Sequence, residues 1–316
     1  MADRGVGMTE RSLQMAPDRH VFVVNPIAGG GTDPEEIRRK AESLGIPFEV
    51  YVTRGPKDAS RFVRQRAATG EHLRFYACGG DGTLKEVAQG AAGLTNVSIA
   101  CYAVGSGNDF VRVWGGREAF LDLEVLASAE EKVIDAISVN DQVCLNACHF
   151  GFDSVVADTM NTVRSKKLIG GKNAYTTGVI KGLVSGMRTR AVITADGEEI
   201  CSDAFLLCSV CNGGYVGGGY HCAPHSLQDD GLLEVCLVRP VSRLKFLQLM
   251  DAYKEGRHLE DPRFRDLILY RRSRTVEIQA REGFAVSLDG EILKAPEIRI
   301  AVMPGAIRFA VPDKTV

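Results

Sequence analysis

No stretch of this 316-residue chain reaches the roughly 18 consecutive apolar residues that a membrane-crossing helix needs. The first residues also lack the apolar core of a signal peptide. Both absences predict a cytoplasmic protein that is peripheral to the inner face of a membrane, if it touches one at all. An excess of charge is missing too: 38 Lys and Arg against 40 Asp and Glu leave a formal net charge of −2, which argues against a nucleic-acid partner. Only "YRRSRTVEI" (270–278), with Arg271, Arg272 and Arg274, is densely basic. A disulfide framework is absent as well, because the nine cysteines are scattered and mostly sit in apolar, strand-like runs such as those around Cys101, Cys144, Cys208 and Cys236. That usage suits a reducing compartment. Cys208 and Cys211 have C-x-x-C spacing without a second pair or a His-x-His to complete a tetrahedral zinc site, so they are expected to be two ordinary strand residues. Internal repeats and low-complexity tracts are also lacking.

What is present is a steady alternation of strand and helix signals from residue 20 onward. "HVFVVNP" is an apolar run rich in β-branched residues. It is followed by "DPEEIRRKAESLG", with Asp33 as N-cap, Pro34 at the first helical position, Glu36 to complete a capping box and Gly45 as the stop. "PFEVYVT", "KDASRFVRQRAATG", "LRFYACGG", a helix opening at Gly82 or Thr83, and "VSIACYAVGS" complete a βαβαβαβ order. Such an order implies a parallel sheet with right-handed crossovers and ligand-binding loops at the carboxyl ends of its strands. After about residue 131 the pattern changes to hairpins, about Asn140-Asp141 and Asp196-Gly197, with further strands to the end. Helices are predicted at 153–165, 173–187 and 242–256. The expected organisation is an N-terminal arm (1–18), a Rossmann-like parallel α/β nucleotide-binding domain (19–130) and a mainly antiparallel β-sandwich domain (131–316), with the last residues returning to the first domain. The active site is expected in the cleft between the two domains.

The loops after the first four strands read "NPIAGGG", "TRGPKD", "GGDGT" and "GSGNDF". Three of them are glycine-rich, and a purely structural sheet has no need of glycines at one end of several strands. In "YACGGDGTLKEVAQG" (76–90) the glycines remove side chains ahead of a helix N-terminus, whose unpaired N–H groups and dipole favour an anion. Thr83 can cap that helix, and Asp81 beside phosphates implies an intervening Mg2+. No Walker A loop, G-x-G-x-x-G helix opening, or H-R-D with D-F-G set occurs, and no helix signal follows "GYVGGGY" (214–220). Two acidic turns remain, "SLDGE" with Asp289, Gly290 and Glu291, and "LQDDGLLEV" with Asp230, which could hold a structural Mg2+ or nothing.

Asn25-Pro26 with its glycine loop, "GGDGT", "GSGND", "NACHFGFD", "GGYVGGGYHCAPHSLQDDGLLEV" and "LDGE" stand in the order found in the diacylglycerol-kinase catalytic domain. From about residue 20 to 312 the chain resembles the soluble bacterial diacylglycerol kinases and related lipid kinases. Sphingosine and ceramide kinases, and more distantly NAD kinases, share the nucleotide half. The resemblance implies an ATP- and Mg2+-dependent kinase acting on a lipid hydroxyl at a membrane surface, most simply that of diacylglycerol, and a homodimer. Carried over by position, Asn25, Pro26, Ile27, Ala28, Gly29, Thr53, Gly79, Gly80, Asp81, Gly82, Thr83, Leu84, Lys85, Glu86 and Ser106 line the ATP site. Glu291 takes the place of the general base and Asp81 that of the magnesium-linked carboxylate. Asp230, with the carbonyls of Leu227 and Leu232, takes that of a structural metal site. Another lipid alcohol as acceptor (phosphatidylglycerol, a sphingoid base or a ceramide) and a silent nucleotide or lipid sensor stay open as alternatives.

Two departures from the family pattern stand out. Lys85 follows "GGDGTL" where asparagine is usual, and it either adds a phosphate contact or faces solvent. "AVGSGND" lacks the proline and threonine of many members. The segment 173–187 is either a wall of the acyl pocket or a core helix, and the three arginines either meet anionic headgroups or are a solvated strand end.

Overall fold

β1 (Arg19–Val24) pairs in parallel with β2 (Phe48–Val52) on one side and β3 (Leu73–Gly79) on the other, and β3 pairs in parallel with β4 (Val97–Ala103). The computed structural model describes residues 16–152, 154 and 187–313. Every residue of β3 and β4 is buried, as near-continuous apolar runs in a two-sided parallel sheet require. Because β2 and β3 flank β1, the strand order reverses at β1. The loops leaving β1 and β3 therefore part, which opens a ligand crevice at their carboxyl ends.

The intervening helices begin where local chemistry dictates. Asp33 accepts the Glu35 N–H at 3.0 Å ahead of α1 (Pro34–Ser43). α2 (Asp58–Ala67) follows β2. α3 (Asp81–Ala91) opens earlier than its sequence suggests, with Gly80 as N-cap and no side-chain cap, so Thr83 does not cap it. A short α4 (Leu123–Ser128), capped by Asp122, closes this half.

β5 (Glu130–Val139) and β6 (Gln142–Cys144) form the first hairpin, with Asn140 in the left-handed region at φ +50°. β7 (Ala147–Gly151) enters a second sheet. Among the described residues β8 (Thr189–Arg190) pairs only with β11 (Ala204–Phe205), while β9 (Val192–Ala195) and β10 (Glu198–Cys201) form the expected hairpin about Asp196-Gly197. Then come β12 (Leu207–Cys211), β13 (Leu233–Val238), β14 (Ile268–Ser273), β15 (Thr275–Gln279), β16 (Ala285–Leu288), β17 (Glu291–Lys294) and β18 (Glu297–Val311). The six-stranded sheet β14-β13-β12-β7-β16-β17 is antiparallel throughout. It packs against the β9-β15-β18 end of the larger sheet through Phe150, Val210, Val235 and Val286 on one side and Ile193, Val276, Ile298 and Ile300 on the other. The expected sandwich is thus present. The helix Arg243–Lys254, capped by Ser242, lays Phe246 and Leu249 on the outer face of the six-stranded sheet.

β18 ties the halves together. It runs antiparallel along β5 and meets β4 in parallel at Phe309 and Ile99. Its Ile298 and Ile300 lie in the sandwich core, whereas Ile307 and Phe309 lie in the core of the parallel half. β5 divides likewise, between Ala136 and Ile137. The helices predicted at 153–165 and 173–187, including the acyl-pocket candidate, fall almost wholly outside the described residues. Among the described residues no helix is long and apolar enough to cross a membrane.

Candidate active site

At the reversal point three loops interlock, and the glycines explain how. A Cβ on Gly105 would lie 2.1 Å from Gly80 Cα, one on Gly29 (φ +62°) 2.0 Å from the Val104 carbonyl oxygen, and one on Gly79 2.2 Å from Thr83 Oγ1. These glycines therefore let the loops after β1, β3 and β4 touch one another. That narrows the expectation that they bare the backbone to a ligand. Gly82 differs: a Cβ there meets nothing within 4 Å, so the first turn of α3 is the open face, with its unpaired N–H groups and dipole end. Asn25 Nδ2 donates to Thr83 Oγ1 at 3.1 Å, and Asn25 Oδ1 accepts the Ile27 N–H at 3.2 Å. Pro26 and Ala28 are half-buried beside Ile27, which projects at the rim, 85% exposed. Thr53 is held to β1 through its N–H on the Val24 carbonyl, and Ser106 is exposed at the tip of its loop.

Two of the expected nucleotide residues face elsewhere. Leu84 is a core side chain, and the carboxylate of Glu86 accepts the N–H groups of Lys57 and Ala59 at 2.9 and 3.2 Å, closing the start of α2. Asn108, part of the expected "GSGNDF" loop though not among the residues carried over by position, proves central: buried at φ +52°, it donates to the carbonyls of Ala103 and Gly105 at 3.2 and 2.8 Å and so shapes the third loop. Its signal in the sequence was its place between glycine and aspartate, where asparagine tolerates left-handed backbone.

Carboxylates converge on this loop cluster. Asp81 accepts the Phe110 N–H at 3.2 Å, and burial together with the charge of Asp109 pushes its pKa up to about 6. Asp109 accepts Arg112 Nε at 3.0 Å and, from the second half, the Gly218 N–H at 2.8 Å. Asp289 accepts three N–H groups, those of Leu145, Asn146 and Ala147, at 2.8, 3.1 and 2.9 Å, although burial still raises its pKa. Those bonds fix the β16–β17 turn, where Asp289 and Gly290 both have positive φ. Glu291 leaves that turn and meets the ammonium of Lys85. Lys85 is 4% exposed, so it does not face solvent, and its ammonium holds Glu291. Asp81 and Lys85 are four residues apart on α3 and thus share a face, which brings Glu291 to the side of the helix that carries Asp81.

The donor set at Asp81 fits a hard divalent cation, because the half-buried Asp81 and the buried Asp109 are acids whose charges oppose each other. The Asp230 turn does not. Its carboxylate accepts the Leu232 N–H at 3.0 Å and pairs with the guanidinium of Arg272, which also holds Glu234 at 3.0 Å, while Leu227 is exposed. An internal cation thus stands where a structural metal was expected. The same contacts correct the view of the basic cluster, since Arg272 is held here and Arg271 pairs with Glu198 at 2.8 Å.

Comparison with known proteins agrees with this architecture. Residues 19–139 match the model of the diacylglycerol kinase catalytic domain, and residues 146–311 that of the YegS C-terminal NAD kinase beta sandwich-like domain. The "Probable lipid kinase YegS-like" of Pseudomonas fluorescens is 32% identical over 292 residues, covering 88% of this chain and 91% of that protein. Its namesake in Pseudomonas aeruginosa is 32% identical over 304 residues, covering 94% and 96%. In fold the chain resembles the crystal structure of a diacylglycerol kinase from Bacillus anthracis, with a TM-score of 0.69, 21% identity, and coverage of 95% of this chain and 99% of that one. With both domain models matched in series and the relatives spanned nearly end to end, the chain belongs to the family of YegS-like lipid kinases built on the diacylglycerol kinase catalytic domain.

Proposed function

We propose that this lipid kinase transfers the γ-phosphate of ATP to the hydroxyl of 1,2-diacylglycerol and forms phosphatidic acid. The observation that carries the proposal is the meeting of two unlike pieces: the open first turn of α3 and, held against the same helix by Lys85, the carboxylate of Glu291. The first suits phosphate oxygens, and the second suits a hydroxyl proton.

In this reading the N–H groups at Gly82 and its neighbours cradle the ATP phosphates, with the loops after β1 and β4 closing around the nucleotide. Asp81, with Asp109 behind it, would hold Mg2+, which when bound neutralises charge on the phosphates. Phosphoryl transfer asks mainly for positioning and charge neutralisation. The lipid oxygen bonds to the γ-phosphorus as the bond to the ADP oxygen breaks, and its proton passes to Glu291. Such base catalysis contributes about 10²–10⁴-fold. A silent sensor has no use for a carboxylate brought to the phosphate-binding helix in this way.

Radiolabelled phosphate transfer from γ-labelled ATP with Mg2+ tests the proposal, using mixed micelles that each carry one lipid alcohol and Glu291→Ala as control. Label in phosphatidic acid, lost in the variant, is the expected result. Label only in phosphatidylglycerol, a sphingoid base or a ceramide keeps the mechanism and overturns the acceptor; no label in any lipid overturns both.

A further inference from the structure

The alternation of β12 sends Cys208 and Cys211 to opposite faces of the sheet, one into the sandwich core and the other outward under the helix Arg243–Lys254. They are thus two ordinary strand residues, as the missing second pair implied. On the outer face Cys211 has other company. Cys222, eleven residues further on and beyond a glycine-rich loop, places its sulfur 3.8 Å from that of Cys211. His149, on the neighbouring strand β7, completes a group whose ligand atoms all lie within 4.8 Å of one another.

We propose that His149, Cys211 and Cys222 form a binding site for a soft d¹⁰ cation, zinc in the first instance, that clips the loop 213–222 onto the six-stranded sheet. Three observations support it. The sulfur separation is that of two thiolates on one tetrahedral ion, since bonds of about 2.3 Å at the tetrahedral angle put the sulfurs about 3.8 Å apart. His149 is oriented by a buried relay: its Nδ1 lies 2.9 Å from Ser209 Oγ, which lies 2.8 Å from Tyr253 Oη. If Nδ1 carries the proton toward Ser209, Nε2 keeps the lone pair for a metal, as in sites where an outer partner fixes the ligand's tautomer. Finally, two thiolates and a neutral imidazole cancel the charge of Zn2+, so the loaded site adds no net charge to a buried place. Loading releases both thiol protons to solvent. No fourth His, Cys, Asp or Glu joins the group among the described residues, which leaves that position to water.

The clip has a mechanical sense. The loop that carries Cys222 also carries Gly218, whose N–H binds Asp109 at 2.8 Å, so a metal at its base steadies a contact that reaches the first half of the chain.

Metal analysis of the full chain purified without chelator is the test. About one zinc per chain is expected, with about tenfold less in Cys211→Ala and Cys222→Ala and no change in Cys201→Ala. Because the first two variants can misfold, the wild-type chain also carries the test. After zinc removal, Co2+ is expected to give thiolate charge-transfer absorption and the intense visible bands of a tetrahedral ion, and zinc to raise the melting temperature. Wild-type chain that holds no stoichiometric zinc and gives no such cobalt spectrum overturns the proposal. A Cys211–Cys222 disulfide found in metal-free chain also overturns it.

Discussion

Lys85 and Glu291 are 206 residues apart, yet they form an ion pair that joins α3 of one half to the β16–β17 turn of the other. The lysine side chain is 5% exposed and the glutamate 55%, so the buried partner is the one with few alternative positions and the carboxylate is the one being placed. If Lys85 acts by placing the base, Lys85→Ala should lower kcat about 10²-fold, the cost of a misplaced catalytic group, while the KM for ATP stays within about 2-fold. Should ATP KM rise with little change in kcat, the lysine is a phosphate ligand instead. A steady-state comparison of the two parameters decides.

Asp81 is where activity and stability should part. Burial and Asp109 raise its pKa to about 6. The unfolded chain ionises near the ordinary carboxylate value, so stability falls as pH rises from there to about 6, and the full penalty holds above it. Asp81→Asn should therefore stabilise the metal-free protein at neutral pH by about 1–3 kcal/mol while removing most kinase activity. Paired denaturant melts and phosphate-transfer assays test it; a destabilised variant with normal turnover contradicts both halves.

Alanine at two glycines separates packing from binding. Gly105→Ala puts a methyl group 2.1 Å from the backbone of Gly80 and should cost about 3 kcal/mol through overpacking. Gly82→Ala meets open space on a helix and should gain up to about 1 kcal/mol, yet raise the KM for ATP if phosphates sit against that turn. Melting curves and ATP titration of both variants distinguish the roles.

Acid should unfold the protein partly through His20. Its ring is buried, its Nδ1 lies 2.7 Å from Tyr76 Oη, and burial, reinforced by Arg74, lowers its pKa to about 4. The unfolded chain takes up the proton first, so stability present above the ordinary histidine value is lost as pH falls toward 4. The loss amounts to about 2–3 kcal/mol. His20→Gln should flatten the stability profile between these limits, as pH-dependent denaturation would show.

Much of this was legible in the chain. The α/β half was readable because each strand ends in its own punctuation, and the hairpins because Asn140-Asp141, Asp196-Gly197 and Asp289-Gly290 are turn pairs. Spacing could not reach contacts made across the fold. Lys85 looked like a phosphate ligand or a surface cation because nothing local announces a partner in β17. Arg272 looked like part of a basic patch because its carboxylates, Asp230 and Glu234, are neighbours only through strand pairing. Cys208 and Cys211 are the ordinary strand residues the missing second pair implied, but the partner of Cys211 was out of reach of spacing, because Cys222 returns to it only through the fold. Glycines, too, are ambiguous until their neighbours are known: the same residue type serves loop against loop at Gly105 and open space at Gly82.

The passage of β18 through both cores bears on how the molecule is made. β4 pairs with its outer neighbour β18 at Phe309, and the core of the parallel half includes Ile307 and Phe309. During synthesis, then, the nucleotide half emerges long before the strand that finishes it, and it must wait with an unpaired sheet edge while some 200 further residues are translated. Folding of this kinase should be a late, concerted closure of both halves rather than a domain-by-domain succession. A ribosome-bound fragment ending before β18 should remain open to proteases in the very half whose sequence looks most independent.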